Sequence, residues 1–76
     1  MKEKLRNLFA DCLEVDSSIV VDELVYGGIP EWDSVAHMAI IAEMEDLFDI
    51  MIDTDDVIGM SSFAIALETL VRLQEE

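Results

Sequence analysis

The histidine and the cysteine are the first residues of this chain that could do chemistry, and each occurs once. His37 and Cys12 could form a nucleophilic pair, but nothing in the sequence supports one beyond the presence of both residues. No second histidine or cysteine stands at a metal-ligand spacing from His37, whose neighbour four residues on is Ile41. We therefore interpret His37 as a structural residue, buried or half-buried, and Cys12 as a small thiol on the apolar side of a helix. We predict neither a catalytic residue nor a metal ligand.

The acidic segment that begins at Asp53 does not fit a calcium-binding loop. Asp53 and Asp55 would fill the first and third positions of such a loop. However, Ile58 stands where the sharp turn needs glycine, and Ala64 stands where the loop needs a bidentate glutamate. We predict instead that these acids cap a short helix.

Ser34 is the residue that remains after these tests. It follows Asp33, whose carboxylate can accept a hydrogen bond from a free backbone N–H at the start of a helix. Taken alone, this serine could be no more than part of a helix cap, so its meaning depends on the elements around it.

Apolar residues recur at three- and four-residue spacing through most of the chain, which is typical of amphipathic helices. Glycine, proline and short polar clusters separate the segments. We predict helices from about Lys2 to Glu14, from Asp33 or Ser34 to about Phe48, from the Asp53 cluster to about Gly59, and from Ser61 or Ser62 to about Leu73. Residues 15–33 form a long connection, with a short helical turn expected near Val21–Leu24.

The fold class predicted from this pattern is all-α, because no segment alternates as a strand does. We expect a small four-helix bundle with three longer helices, one short helix and a long loop between the first and second helices. The 76 residues would form a single domain, 1–76. On the second helix the predicted core side consists of His37, Ile41, Met44 and Phe48. The predicted outer sides carry Val35, Met38, Ala42, Glu45 and Asp46.

The chain is strongly acidic, with 18 Asp and Glu against 4 Lys and Arg and a formal net charge of -14. No lysine or arginine occurs between Asn7 and Val71. Such a surface repels nucleic acids and anionic membranes, and it attracts basic patches on proteins. The single cysteine, the absence of a cleavable leader and the lack of a long apolar run predict a cytoplasmic protein, which we expect to be a monomer.

The segment Pro30-Glu31-Trp32-Asp33-Ser34-Val35 resembles the start of the second helix in the acyl carrier protein family, whose hallmark is Asp-Ser-Leu. Fourteen residues after Ser34, Phe48-Asp49-Ile50 and Ile52 are similar to the family's Phe-Asp-Ile-x-Ile. Met60-Ser61-Ser62-Phe63 resembles the beginning of its last helix. The resemblance covers essentially the whole chain. The Trp-Asp-Ser form, preceded by a proline and an acid, resembles that of many free-standing carriers.

The resemblance implies that Ser34 is the attachment point of a covalent 4′-phosphopantetheine arm. A phosphopantetheinyl transferase would move this arm from coenzyme A onto the serine hydroxyl. A helix N-terminus suits the resulting phosphodiester, because free N–H groups and the helix dipole favour an anion there. Asp33 would assist transferase recognition and metal placement. The chain would hold acyl groups as thioesters on the arm and would not itself be an enzyme.

In this family, the second helix provides the main surface to which partner enzymes bind. Here Val35 and Met38 would offer apolar contacts, and Glu43, Glu45 and Asp46 would meet basic patches. The implied partners are acyl-loading ligases, synthases or acyltransferases. Without the resemblance, the same acids would be interpreted as a solvated helix face.

The sequence departs from the fatty-acid carriers next to Ser34. Val35 replaces the usual leucine, and Ala36, His37 and Ala39 stand where that pattern has acids and a small polar residue. We therefore expect a specialised carrier, from a secondary-metabolite or surface-polysaccharide pathway or another dedicated acyl transfer. One alternative is a peptidyl or aminoacyl carrier, including the D-alanyl type. The other is an acidic protein-interaction module in which Ser34 is only a helix cap.

Overall fold

The computed structural model describes residues 1–75 and contains four α-helices within that range. They are α1, Lys2–Leu13; α2, Ser34–Phe48; α3, Thr54–Gly59; and α4, Phe63–Glu75. Three helices are long, α3 is short, and a long loop joins α1 to α2. The prediction of an all-α, four-helix fold is confirmed.

The helices α1 and α2 end in the same way. Glu14 follows α1 with φ 57°, and Asp49 follows α2 with φ 54°, so both lie in the left-handed region. The backbone N–H of Glu14 bonds to the carbonyl of Ala10, and that of Asp49 bonds to the carbonyl of Glu45. A left-handed residue turns the chain off the helix axis while it satisfies a terminal carbonyl.

The long loop carries its helical turn earlier than the sequence predicts. A short 3₁₀ helix occupies Ser17–Ile19, where Asp16 accepts a hydrogen bond from the Ser18 N–H at 2.9 Å. At the predicted position, Val21–Leu24, there is a single hydrogen-bonded turn, closed over 3.0 Å. The Asp16 carboxylate explains the earlier position, because it satisfies a backbone N–H that the first turn leaves free.

The end of the loop is fixed to the start of α4. Val25 and Ser62 form an isolated antiparallel bridge. The Tyr26 N–H donates to the Ser61 carbonyl, and the Phe63 N–H donates to the Leu24 carbonyl, each over 2.9 Å. This pairing fixes the position from which the chain runs to Ser34.

Aromatic rings fill the centre of the core. Phe9 of α1 stands edge-on to Trp32 at 5.2 Å and to Phe63 of α4 at 5.1 Å between ring centroids. Such edge-to-face contacts are favourable beyond the area they bury. All three side chains are fully buried, so the loop residue Trp32 belongs to the core as firmly as the helical residues.

The buried side of α2 is wider than the predicted stripe. His37, Ile41 and Met44 are buried as expected, and Phe48 is partly buried. Ile40, which the predicted stripe omits, is 0% exposed. α1 and α2 pack against each other, and both Ile40 and Ile41 are buried. Within residues 1–75, no helix is both long and apolar enough to cross a lipid bilayer.

Candidate functional site

Ser34 is the first residue of α2, and its side chain is exposed. The preceding residue, Asp33, caps the helix, because its Oδ1 accepts a hydrogen bond from the Ala36 N–H at 2.9 Å. The predicted capping role of Asp33 is therefore confirmed. With Asp33 as the cap, the Ser34 hydroxyl is not required for that role.

The electrostatic environment at the N-terminus of α2 suits a phosphate ester. No acidic residue lies in the first turn of α2. The free N–H groups and the positive end of the helix dipole favour an anion at this point. Asp33 is the acidic residue that directly precedes Ser34, and the bond from the Ala36 N–H directs its carboxylate toward the backbone. The geometry thus presents an exposed hydroxyl where an attached anion is stabilised.

A buried hydrogen-bond chain lies behind Ser34. The Trp32 indole N–H donates to Nδ1 of His37 at 3.0 Å, and Nε2 of His37 lies 2.9 Å from the Val57 carbonyl. An indole nitrogen can only donate, so Nδ1 accepts and Nε2 carries the proton that is donated to Val57. The chain therefore connects the loop, α2 and α3 through one neutral imidazole.

Aromatic packing holds this imidazole in place. The His37 ring stacks on Trp32, with centroids 6.0 Å apart and an angle of 29°, and Tyr26 meets it edge-on at 5.2 Å. Both ring nitrogens are already bonded, so His37 has none left to activate a nucleophile. His37 is buried, as the structural interpretation predicts.

Cys12 is half-buried rather than fully enclosed. Burial raises the pKa of its thiol, and the nearby charges of Glu43 and Asp11 raise it further. A thiol with a raised pKa is a poor nucleophile, because the thiolate is the reactive form. Within residues 1–75, no group of three or more His, Cys, Asp or Glu could hold a metal ion.

A cleft of about 260 Å³ opens beside Ser34, and it is lined by the long loop, α2, α3 and the segment that joins α3 to α4. Its lining residues are Tyr26, Ser34, His37, Met38, Val57, Ile58, Met60 and Ser61. Sequence reasoning did not find this cleft, because its residues come from four separate parts of the chain.

The helix α3 forms one wall of the cleft, and few contacts hold it. None of its residues is fully buried. The Val57 carbonyl accepts from His37, and the Asp56 carboxylate pairs with Arg72 of α4 at 2.6 Å. Asp53 stands at the N-cap position as predicted, but its side chain makes no capping hydrogen bond.

The predicted partner residues of α2 are divided between two sides of the helix. Met38, 57% exposed, borders the cleft at α3. Val35, 78% exposed, lies on the side toward α1, where Glu43 and Asp46 border a groove between α1 and α2. These residues are exposed, and their binding role stays a prediction.

Glu45 differs from the other acids of α2. It is half-buried, and its Oε2 accepts a hydrogen bond from the Ile52 N–H at 3.0 Å. Glu45 thus fixes the segment between α2 and α3. The sequence placed it with the partner-facing acids because its helical position alone does not reveal this backbone contact.

No protein-family model matches the chain, and no curated protein matches it. The fold, however, is similar to that of a solved protein. The solution NMR structure of a holo acyl carrier protein from Geobacter metallireducens superposes with a TM-score of 0.84 and 19% identity, covering 95% of this chain and 83% of that chain. At this identity the likeness shows the fold, which is that of an acyl carrier protein.

Proposed function

We propose that this chain is an acyl carrier protein and that its Ser34 hydroxyl carries a 4′-phosphopantetheine arm. The observation that carries the proposal is the exposed Ser34 at the first position of α2, with Asp33 as the cap, in the fold of an acyl carrier protein. The solved neighbour is a holo carrier, which supports the same modification here.

The arm would come from coenzyme A by the action of a phosphopantetheinyl transferase. The Ser34 oxygen would form a bond to the phosphorus that bears the pantetheine. The bond from that phosphorus to the adenosine bisphosphate part would break, and the hydroxyl proton would leave. The chain would contribute the acceptor oxygen and the N–H groups of the first turn of α2, which stabilise the phosphodiester. The catalysis would belong to the transferase.

The thiol at the end of the arm would hold the cargo as a thioester. Cys12 does not compete for this role, because it is half-buried and its pKa is raised by burial and by Glu43 and Asp11. A carrier of this type presents intermediates to other enzymes and catalyses no reaction of its own.

The partner enzymes are expected to approach α2 with basic patches. Met38 and Val35 would supply apolar contact on opposite sides of Ser34, and Glu43 and Asp46 would attract the patch. Charge complementarity of this kind acts mainly on the rate of encounter. Ligases, synthases and acyltransferases that load or remove the cargo are the implied partners.

The departures beside Ser34 support a specialised pathway. Ala36, His37 and Ala39 make the front of α2 less acidic than in the fatty-acid carriers that the chain resembles. If the fatty-acid enzymes elongated chains on this protein as fast as on their own carrier, the specialised role would be wrong. An aminoacyl cargo, as on a D-alanyl carrier, uses the same serine, and the small cleft beside Ser34 keeps that alternative open.

The decisive experiment is transfer from coenzyme A by a broad-specificity transferase, followed by intact mass spectrometry. The wild type should gain the mass of one phosphopantetheine. Ser34→Ala should gain none, whereas the matched control Ser61→Ala, which removes another serine of the cleft, should be modified normally. An unmodified wild type beside a modified control carrier would contradict the proposal and support the acidic interaction module.

A further inference from the structure

We propose that the groove between α1 and α2 is a docking site for a basic amphipathic helix of a partner protein. The groove has two adjoining sections, of about 670 and 300 Å³, and Cys12 and Ala39 line both of them. Ser34 lines neither section. The inference therefore goes beyond the proposed function, because occupation of this groove requires neither the serine nor an arm.

The groove and the cleft beside Ser34 lie on different sides of α2. Ala39 and Glu43 line the groove, whereas His37 and Met38 line the cleft, and no residue lines both spaces. A helix turns by about 100° per residue, so Glu43, nine residues after Ser34, points about 180° away from it. A partner in the groove would thus leave the Ser34 side of α2 open.

The floor of the groove is apolar. Leu8, which lines it, is 7% exposed, and Ala39 contributes only a methyl group. Larger apolar side chains stand open at the two ends, where Val35 is 78% exposed and Leu47 is 54% exposed. Along α2 these two residues are about 18 Å apart, which is the length of a helix of about twelve residues. The apolar stripe of such a helix could cover this floor.

The charge of the rim determines which kind of helix the groove accepts. The acids that line it come from α1, from α2 and from the residues beside them, and they are Asp11, Glu14, Glu31, Asp33, Glu43 and Asp46. Within residues 1–75, Lys4 is the one basic residue that lines the groove. All six acids are exposed, and none takes part in the ion pairs formed within that range. Lysine or arginine beside the apolar stripe of a partner helix would complement this rim.

Two of these acids come close together near the middle of the groove. Asp11 belongs to α1 and Glu43 to α2, and the charges of both raise the pKa of the Cys12 thiol between the two sections. Like charges that lie near one another are unfavourable until a cation joins them. A basic side chain of the partner would therefore be attracted to this point.

The same charge argues against other occupants. A second copy of this chain would bring its own net charge of -14 and would be repelled. Nucleic acids and anionic membranes would be repelled for the same reason. The acidic rim and the apolar floor together select a basic, amphipathic protein segment.

The experiment titrates two synthetic peptides into the ¹⁵N-labelled full chain without an arm. The first has about fourteen residues, with leucines on one face of the helix and arginines beside them. The second has the same composition in scrambled order, so it keeps the charge and loses the apolar face. The first should bind about tenfold more tightly than the second. It should shift the amide resonances of Cys12, Ala39 and Leu47 and leave that of Ile58 unmoved.

One pair of variants tests the floor of the groove. Ala39→Gln places a longer, polar side chain there without a change in charge, and it should weaken binding of the first peptide about tenfold. Ala42→Gln makes the same substitution at an exposed position of α2 outside the groove, and it should leave the affinity unchanged.

A second pair tests the rim. Asp11→Asn combined with Glu43→Gln removes one charge from each side of the groove and should weaken binding about threefold or more. Asp55→Asn combined with Glu68→Gln removes the same charge from exposed positions elsewhere, and it should have a smaller effect. Circular dichroism verifies that each variant keeps its helices.

Several results would overturn the inference. One is equal affinity for the two peptides, because general attraction to negative charge would then explain the binding. Others are equal affinities of Ala39→Gln and Ala42→Gln, shifts centred on Met38 and Ile58 at the cleft, or no binding to the wild type. A chain that sediments as a dimer, and as a monomer after Ala39→Gln, would assign the groove to a second copy instead. None of these results depends on whether a transferase modifies Ser34, which the mass spectrum reports separately.

Discussion

Trp32 donates its indole N–H to Nδ1 of His37 across 3.0 Å, entirely inside the protein. Trp32 lies in the loop just before α2, and His37 lies in the first turn of that helix. The bond therefore joins the two sides of the segment that contains Ser34. Because His37 also donates to the Val57 carbonyl, one side chain fixes Ser34 relative to both the loop and α3.

Trp32→Phe should destabilise the protein through this pair. The phenyl ring retains much of the packing but leaves Nδ1 of His37 buried without a donor, at a cost of about 1–3 kcal/mol in the free energy of unfolding. Urea denaturation followed by circular dichroism measures the change. Tyr26→Phe is the control, because Tyr26 is half-exposed and its variant should stay within about 0.5 kcal/mol of wild type. Equal stability of both variants would contradict the prediction.

Asp33→Ala should destabilise α2 by removing its cap. The Oδ1 acceptor for the Ala36 N–H is lost, which costs about 1 kcal/mol in the free energy of unfolding. Asp33→Asn retains a side-chain oxygen and should recover most of the loss. Asp53→Ala provides the comparison, because Asp53 holds the N-cap position of α3 without a side-chain capping bond. If Asp53→Ala lowered the free energy of unfolding as much as Asp33→Ala does, the capping assignment would be wrong.

Glu45→Ala should lower the stability of the fold, whereas Glu43→Ala should slow association with partner enzymes. The carboxylate of Glu45 accepts from the Ile52 N–H, and its loss should cost about 1 kcal/mol in the free energy of unfolding. Glu43 is exposed, so its removal should leave stability within about 0.5 kcal/mol of wild type. Stopped-flow binding to a basic transferase should then show a slower association for Glu43→Ala. Two variants with the same stability would refute this distinction.

The alkylation of Cys12 should respond to pH as expected for a raised pKa. Burial is the main cause, followed by the charges of Glu43 and Asp11. The thiolate forms only at higher pH than in an ordinary cysteine, so iodoacetamide should react slowly at neutral pH and faster as the pH rises. Glu43→Gln removes one of these charges, lowers the pKa and should speed the reaction at a fixed pH.

The control for that measurement is Glu68→Gln, which removes an exposed charge on α4 that is not among the causes of the shift. Intact mass spectrometry of the Ser34→Ala protein follows Cys12 without any thiol from an arm. If Glu68→Gln sped the reaction as much as Glu43→Gln, general net charge rather than the neighbouring carboxylate would be responsible. Full reactivity of the wild type at neutral pH would contradict the raised pKa itself.

The sequence by itself determined the helices and the position of Ser34. Helix periodicity and capping depend on residues three or four apart, so the Asp33 cap and the beginning of α2 could be read directly from neighbouring residues. The excess of acid was likewise visible without a structure, because net charge is a property of composition. The resemblance around Trp32-Asp33-Ser34 also lies in consecutive residues.

The tertiary structure decided what His37 and Glu45 do. His37 bonds to a carbonyl twenty residues later, and Glu45 bonds to an amide seven residues later. The cleft beside Ser34 depends in the same way on where α3 lies against α2. Such contacts follow from how the chain returns on itself after α2. The spacing of residues within a helix does not predict such contacts, because a side chain at one helical position can face either solvent or a distant backbone group.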